Sequence, residues 1–441
     1  MKTAILGGGI SGLTLARRLR EAGLDAVVFE ASKKTGGLCG SETVGGFTYD
    51  IAGGHVLYSK DKKVLDWMIN ETDGGCGKRD RLTKIRIGDR FVHYPFENGI
   101  GDLEKQQTFD CLMGYLRAAE IRKTGAAPPT NFGDWIHFRF GEGIERLFMK
   151  PYNEKIWKHA LESMSTEWVE GRVPDAPIED VVRAAIGIRT EGYTHQSIFY
   201  YPNHGGFESI ANGIGNPIRN IVRLNTPVRE VKRSGGGFVV NGELFDRVVN
   251  TIPLPEFIHF TPELSNDART AINKLAYNSL TSAAIGLNHN NTPKYSWIYL
   301  PHAEQGPANR ITYLNNYSDN VAPPGQSLIL AEATAVGEAR KDKQYIDEIV
   351  AGLANAGLLN RSDVIFTHAS TVKYAYVVFD HDYNKKIGAA LAGVEQLGID
   401  SLGRFGRFEY INSDQCVIRA FALADRMIKE AQLGHRIPQS N

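Results

Sequence analysis

The segment Thr3-Ala4-Ile5-Leu6-Gly7-Gly8-Gly9-Ile10-Ser11-Gly12-Leu13-Thr14-Leu15-Ala16 decides how the rest of the chain is read. A short apolar run meets G-x-G-x-x-G, and a helical pattern follows directly. Eighteen residues beyond Gly12, the apolar stretch Val27-Val28-Phe29 ends in the acid Glu30. Gly7 permits a tight turn, Gly9 lets backbone approach a pyrophosphate, and Gly12 lets a helix pack close against a strand. The helix N-terminus around Ser11 offers free N–H groups and a positive dipole end to phosphates. Glu30 can accept hydrogen bonds from ribose hydroxyls. Strand, glycines, helix, second strand and acid in this order predict a βαβ dinucleotide-binding unit.

At 441 residues the chain exceeds one compact core, and two or three domains are expected. Its hydrophobic content of 42% suits an ordinary globular interior. Fifty basic residues balance fifty acidic ones, so electrostatics makes no case for a nucleic-acid or anionic-membrane partner. No apolar stretch reaches the ~20 residues of a membrane span. Gly7, Gly8 and Gly9 break up the apolar N-terminus, which argues against a signal peptide. Cys39, Cys76, Cys111 and Cys416 are widely spread with no C-x-x-C. They suggest reduced thiols in a cytoplasmic enzyme, with no disulfide frame and no metal site.

Further along, a strand is expected around Phe47-Thr48-Tyr49-Asp50. From about 100 to 190 the pattern is helical, with Trp135, Trp157 and Trp168 read as packing residues. Thr226–Lys232 and Gly237–Val240 alternate as strands about a glycine turn, which places Val228 in a strand. Arg247–Ile252 is a buried-strand pattern, β-rich runs follow from about 280 to 335, and Val417–Lys429 is a helix. The expected fold class is α/β. A discontinuous Rossmann-like nucleotide-binding domain (1–90, 195–275 and 375–441) carries an inserted helical substrate cap (91–194) and a β-rich substrate-binding domain (276–374).

Three features point to FAD as the dinucleotide. Gly36-Gly37-Leu38 follows the acidic strand end, and the backbone at Val228 could pair with an adenine. Gly403-Arg404-Phe405-Gly406 precedes the last helix, whose N-terminus could face a flavin pyrimidine ring. Together these resemble the glutathione-reductase-like FAD superfamily, which includes amine oxidases and protoporphyrinogen oxidases.

A narrower resemblance covers nearly the whole chain. Asp50-Ile51-Ala52-Gly53-Gly54-His55-Val56 resembles the mobile histidine loop of UDP-galactopyranose mutases, above all the eukaryotic type. Tyr94-Pro95-Phe96-Glu97-Asn98 resembles that family's base loop. Pro151–Trp157 and, nineteen residues beyond Asn153, Arg172 in Gly171-Arg172-Val173 keep its spacing. Asn309–Ser318 resembles its second arginine motif, with Tyr299 upstream. Gly403–Gly406, Tyr410 and Asp414-Gln415 resemble its C-terminal flavin and substrate motif.

The resemblance implies a non-redox flavoenzyme that isomerises a nucleotide-diphosphate sugar between pyranose and furanose forms. It implies that FAD must be reduced, with NADH or NADPH as candidate reductant. Flavin N5 is then the nucleophile at the anomeric carbon, and the diphosphate leaves and returns. Arg172 and Arg310 are implied on either side of that diphosphate, as bidentate cations. His55 is implied beside N5, sensing the flavin redox state and not acting as a general base. Tyr299, Tyr317, Tyr376 and Tyr410 are implied to bind phosphate oxygens or line the sugar pocket. Tyr94, Phe96, Glu97, Asn153, Trp157 and Asp414 complete the implied substrate contacts. Gly54, Arg404 and Gln415 join the glycine motifs as implied cofactor contacts.

Two departures matter. Lys373–Val378, around Tyr376, lacks the proline that the family version carries. Glu97 stands where the eukaryotic mutases have glutamine. An ionised carboxylate only accepts hydrogen bonds, so it faces uracil carbonyls poorly and suits guanine or cytosine donors. A base other than uracil is therefore expected, unless Glu97 points into solvent. The runner-up function is an FAD-dependent oxidase of the amine- or protoporphyrinogen-oxidase kind, and a third is a binding protein without catalysis. The arginine pair separates the first two, because an amine or porphyrinogen needs no diphosphate clamp. A homo-oligomer is compatible with every reading.

Overall fold

The computed structural model describes residues 1–169, 172–173, 176–190 and 197–434. The N-terminal strand Lys2–Leu6 is apolar throughout its inner part, and Ala4, Ile5 and Leu6 are wholly buried. Such a run belongs in the middle of a parallel sheet covered on both faces. It pairs in parallel with Asp25–Phe29 on one side and Arg247–Asn250 on the other. Val222–Arg223 and Asp400–Ser401 complete five strands, in the order 400, 247, 2, 25, 222 by first residue. Helices Ile10–Glu21 and Ser413–Gly434 lie side by side on this sheet. Leu13, Leu15, Ala16 and Leu19 share one core with Val417, Ala420, Ala424 and Met427.

Gly12 is where the first helix approaches the turn. A Cβ there would sit 2.1 Å from the Gly7 carbonyl oxygen. Gly12→Ala should therefore push the helix off the turn, at a cost of about 1–3 kcal/mol. The purified variant is expected to show a lower melting temperature and a lower flavin-to-protein absorbance ratio than the wild type.

The second layer is a seven-stranded mixed sheet. Its order is Val364–Val377, Tyr277–Leu287, Ser327–Val336, Arg310–Tyr313, Trp297–Tyr299, Thr83–Ile87 and Arg90–His93. Alternation along the strands sorts its two faces. Ala283, Ile285, Ile329, Ala331 and Ala333 pack under helix Lys343–Asn355 through Ile349 and Leu353. Ala284, Leu328 and Leu330 turn the other way, into the core shared with Tyr49 and Phe207. The hairpin 83–93 joins this sheet and not the nucleotide sheet, so the expected division at 90 falls in the wrong place. Strand pairing set that outcome, and no local feature of 83–93 announces it.

The stretch 226–232 also differs from expectation. Its strand begins only at Val231. Pro227 has no N–H to donate to a ladder. The Asn241 side chain takes over instead, accepting from Arg229 N at 2.8 Å and donating to the Pro227 carbonyl at 3.0 Å. Val228 thus lies in an extended loop. Thr226 N donates to the Glu30 carbonyl at 2.8 Å, which keeps that loop beside the acidic strand end.

The helical block contains Lys105–Lys123, Phe132–Ile144, Lys150–Trp157 and Ile178–Ala185. Trp157 and Trp168 meet edge to face at 5.0 Å within its core. Gly171 and the expected boundary at 194–195 lie outside the described residues. The four cysteines are free. Among the described residues no helix is long and apolar enough to cross a membrane.

Candidate active site

The nucleotide end is built first. Gly7 has φ +107°, and a Cβ there would strike Thr251 Oγ1 at 2.5 Å, so the turn accepts only glycine. The Glu30 carboxylate accepts from Gly8 N at 2.7 Å and Ser32 N at 2.8 Å. It is thereby fixed at the strand end with lone pairs to spare. Gly36 N donates to the Gly8 carbonyl at 2.9 Å, which stitches Gly36-Gly37-Leu38 to the first turn. Above Gly9 the space is open: a Cβ there would find nothing nearer than the Gly36 oxygen at 4.0 Å. Gly403 backs onto Ser11 so closely that a Cβ would lie 2.8 Å from its hydroxyl. That contact brings the last helix, with buried Asp414 and exposed Gln415 in its first turn, toward the start of the first. An open backbone cradle, an acid for ribose and two helix N-termini fit FAD. Arg404 behaves differently from a free cofactor ligand. It donates to the Ile411 carbonyl at 2.7 Å and the Ala375 carbonyl at 2.8 Å, tying its loop to strand Val364–Val377.

The histidine loop is pinned at both ends. Buried Asp50 accepts from Ser41 Oγ at 2.7 Å, Phe207 N at 2.9 Å and Tyr201 OH at 3.1 Å. Burial lifts its pKa to about 6 against those hydrogen bonds. Gly53 N donates to Ser282 Oγ at 2.9 Å, and Gly54 N to Glu332 Oε1 at 3.1 Å. A Cβ on Gly53, at φ +89°, would lie 2.5 Å from Glu332 Oε2. The His55 ring stacks on Phe207 with centroids 5.0 Å apart, and its Nδ1 is buried without a partner. Burial lowers the His55 pKa to about 4, so the ring is neutral near pH 7.

Arg310 and Glu332 are direct cross-strand partners. The guanidinium meets the carboxylate in a fork, Nε–Oε1 2.7 Å and Nη2–Oε2 2.7 Å, and Nη2 also reaches the Gly54 carbonyl at 3.4 Å. Glu332 is 0% exposed. Burial opposes the Arg310 charge, and the Glu332 carboxylate more than restores it. Glu332 is the residue that sequence reasoning missed. Its signal was available: one acid in the otherwise uncharged buried strand Ser327–Val336.

Tyrosines surround this pair. Tyr152 senses the Arg310 charge and the hydroxyls of Tyr299, Tyr376 and Tyr410. Ring centroids run Tyr94–Tyr299 5.3 Å, Tyr299–Tyr152 5.1 Å, Tyr152–Phe148 5.3 Å and Phe148–Phe96 5.1 Å. Tyr376 and Tyr410 stand 6.0 Å apart, each about 6 Å from Trp157. Arg172 lies over the Tyr410 ring at 4.1 Å, and Arg404 over the same ring at 4.6 Å. Arg172 also lines a pocket with Tyr94, Phe96, Glu97, Tyr152 and Tyr299.

Asn153 lines the pocket, and Trp157 stands behind it against Tyr376 and Tyr410. The Asn153 amide donates to Met149 O at 2.7 Å and accepts from Trp157 Nε1 at 3.2 Å, so both side chains are satisfied inside their own helix. Tyr317 is 1% exposed and packed against Phe199 and Tyr201, outside the lining of the pocket that holds Arg172. Packing decided each of these, and a motif match carries no packing information. Glu97 is 3% exposed, which removes the solvent-facing alternative. Its Oε1 has no partner.

With this geometry in hand, comparison with known proteins narrows the family. The sequence pattern of the flavin containing amine oxidoreductases matches residues 10–379. The flavin-containing amine oxidase A of Sus scrofa is 25% identical over 317 residues, covering 62% of this chain and 53% of that protein. The chain thus spans about half the length of that relative. The Bos taurus counterpart is 24% identical over 385 residues, covering 79% and 68%. Among solved structures, reduced UDP-galactopyranose mutase superposes with a TM-score of 0.88 at 27% identity, covering 97% of this chain and 95% of that one. A putative protoporphyrinogen oxidase from Exiguobacterium shares the fold at a TM-score of 0.74 and 15% identity, with 97% and 99% covered. The chain therefore belongs to the flavin-containing amine oxidoreductase family, with FAD as its cofactor.

Proposed function

We propose that this enzyme isomerises a nucleotide-diphosphate sugar between its pyranose and furanose forms, without net redox change and with reduced FAD as cofactor. The observation that carries the proposal is a tyrosine-walled cavity approached by two arginines, Arg310 locked by Glu332 and Arg172 stacked on Tyr410. When bound and reduced, FAD would supply N5 as nucleophile at the anomeric carbon.

The chain's own residues supply the rest. Arg310 commits Nε and Nη2 to Glu332 and leaves Nη1 for a phosphate oxygen. Its position costs no reorganisation when the diphosphate departs. Arg172 is exposed and rests on an aromatic face, so it can swing onto the same anion. Burial holds the Tyr152 and Tyr376 hydroxyls well above their ordinary pKa, so they stay protonated donors. Neutral His55 adds no charge to compete with the leaving group. A cytoplasmic location and NADH or NADPH as reductant accompany this reading.

The sequence relatives favour a second reading, an FAD-dependent amine oxidase. One experiment separates the two. Dithionite-reduced enzyme is incubated with a panel of nucleotide sugars, and products are separated by chromatography. A ring-isomerised product with the flavin still reduced is expected. Amine-dependent oxygen uptake with peroxide release, and no isomerised sugar, would overturn the proposal.

A further inference from the structure

Among the described residues Glu97 is the one acid lining the aromatic pocket, which Arg172 also lines. Tyr94, Phe96, Phe148, Tyr152 and Tyr299 give that pocket flat walls. A planar heterocycle stacks well on such rings. A nucleotide laid along it would point its base edge at Glu97 and its diphosphate at Arg172. The carboxyl is nearly fully buried, and Oε1 has no hydrogen-bond partner. A buried acceptor left unpaired costs free energy that a ligand donor can recover.

Base chemistry then discriminates. Guanine presents two adjacent donors, N1–H and N2–H, which match the two oxygens of a carboxylate. Uracil presents one N–H flanked by carbonyl oxygens, which face the second carboxylate oxygen acceptor to acceptor. Cytosine sets an acceptor nitrogen beside its amino group and suffers the same mismatch. Resting on the nucleotide reading of this cavity, we propose that Glu97 selects a guanine base, so that the substrate is a GDP-linked sugar.

Protonation tunes the selection. Burial raises the Glu97 pKa to about 7, against its own backbone N–H and the Arg139 charge. Arg139 comes from helix Phe132–Ile144, and Tyr115, from helix Lys105–Lys123, faces the same carboxyl. The ionised form suits guanine. The protonated form offers one donor and one acceptor, as an amide does, and suits uracil. Guanine preference should therefore grow as pH rises through the Glu97 pKa.

Binding of GDP, CDP and UDP to the FAD-loaded protein tests this by calorimetry at about pH 6 and about pH 8, either side of that pKa. The diphosphate titrates alike in all three, so affinity ratios isolate the base. Wild type is expected to bind GDP about 10-fold or more tighter than UDP at the higher pH, with the ratio narrowing at the lower. Glu97→Gln, nearly isosteric, is expected to favour UDP at both. Wild type that prefers UDP or CDP at the higher pH, or a Glu97→Gln variant that keeps the wild-type preference for GDP, overturns guanine selection by Glu97 while leaving the nucleotide site intact. Failure of all three diphosphates to bind overturns the site reading itself.

Discussion

Arg310→Lys should lower kcat/KM for the nucleotide sugar by about 10²-fold, on the order of 3 kcal/mol of transition-state stabilisation. The charge survives in this variant, but the fork does not. Arg310 holds Glu332 through two nitrogens and keeps a third for the anion. A lysine ammonium is a single point donor and cannot hold that planar geometry. The loss should fall mainly on kcat, because the interaction strengthens as charge builds on the departing diphosphate. Flavin content should not change, since Arg310 lies in the β-rich layer and not in the Gly7–Gly12 cradle. Steady-state kinetics on reduced enzyme would decide it. An unchanged kcat would remove Arg310 from the chemistry.

Glu332→Ala should cost the fold about 3 kcal/mol, near the lower end for breaking a buried ion pair, because Arg310 keeps some contact with the cavity. Three ties go together: the Arg310 fork, the Gly54 N–H acceptor and the wall against Gly53. The histidine loop then keeps only the Gly53 N–Ser282 Oγ bond and the longer Arg310–Gly54 contact on the β-rich sheet, while Asp50 holds the other end. Thermal melting of the FAD-loaded variant should show the drop. Adding Arg310→Ala to Glu332→Ala should recover part of the loss, because the uncompensated guanidinium is gone. Strictly additive effects would show that the two residues act separately.

Local patterns carried much of this architecture. The glycine turn, the first helix, the acid at Glu30, the hairpin at Phe47 and the C-terminal helix each follow from spacing or propensity within a short window. The structure confirms those elements, with the last helix longer at both ends than its apolar core suggested, Ser413–Gly434 against Val417–Lys429. Assignments that depended on partners distant in sequence fared less well. The hairpin at 83–93 pairs with residues more than two hundred positions away. Val228 lost its ladder to the Asn241 side chain. Arg404 and Tyr317 carry the right residue types, yet their polar atoms or faces are taken up internally.

Taken alone, the sequence determined that the chain opens on a glycine-rich βαβ unit of the dinucleotide-binding kind, because glycine spacing and helix periodicity are properties of neighbouring residues. Only the tertiary structure decided that Glu332 fixes Arg310 and that Glu97 is buried in an aromatic pocket. Both depend on strand register and burial, which arise when distant segments pack together and water leaves between them.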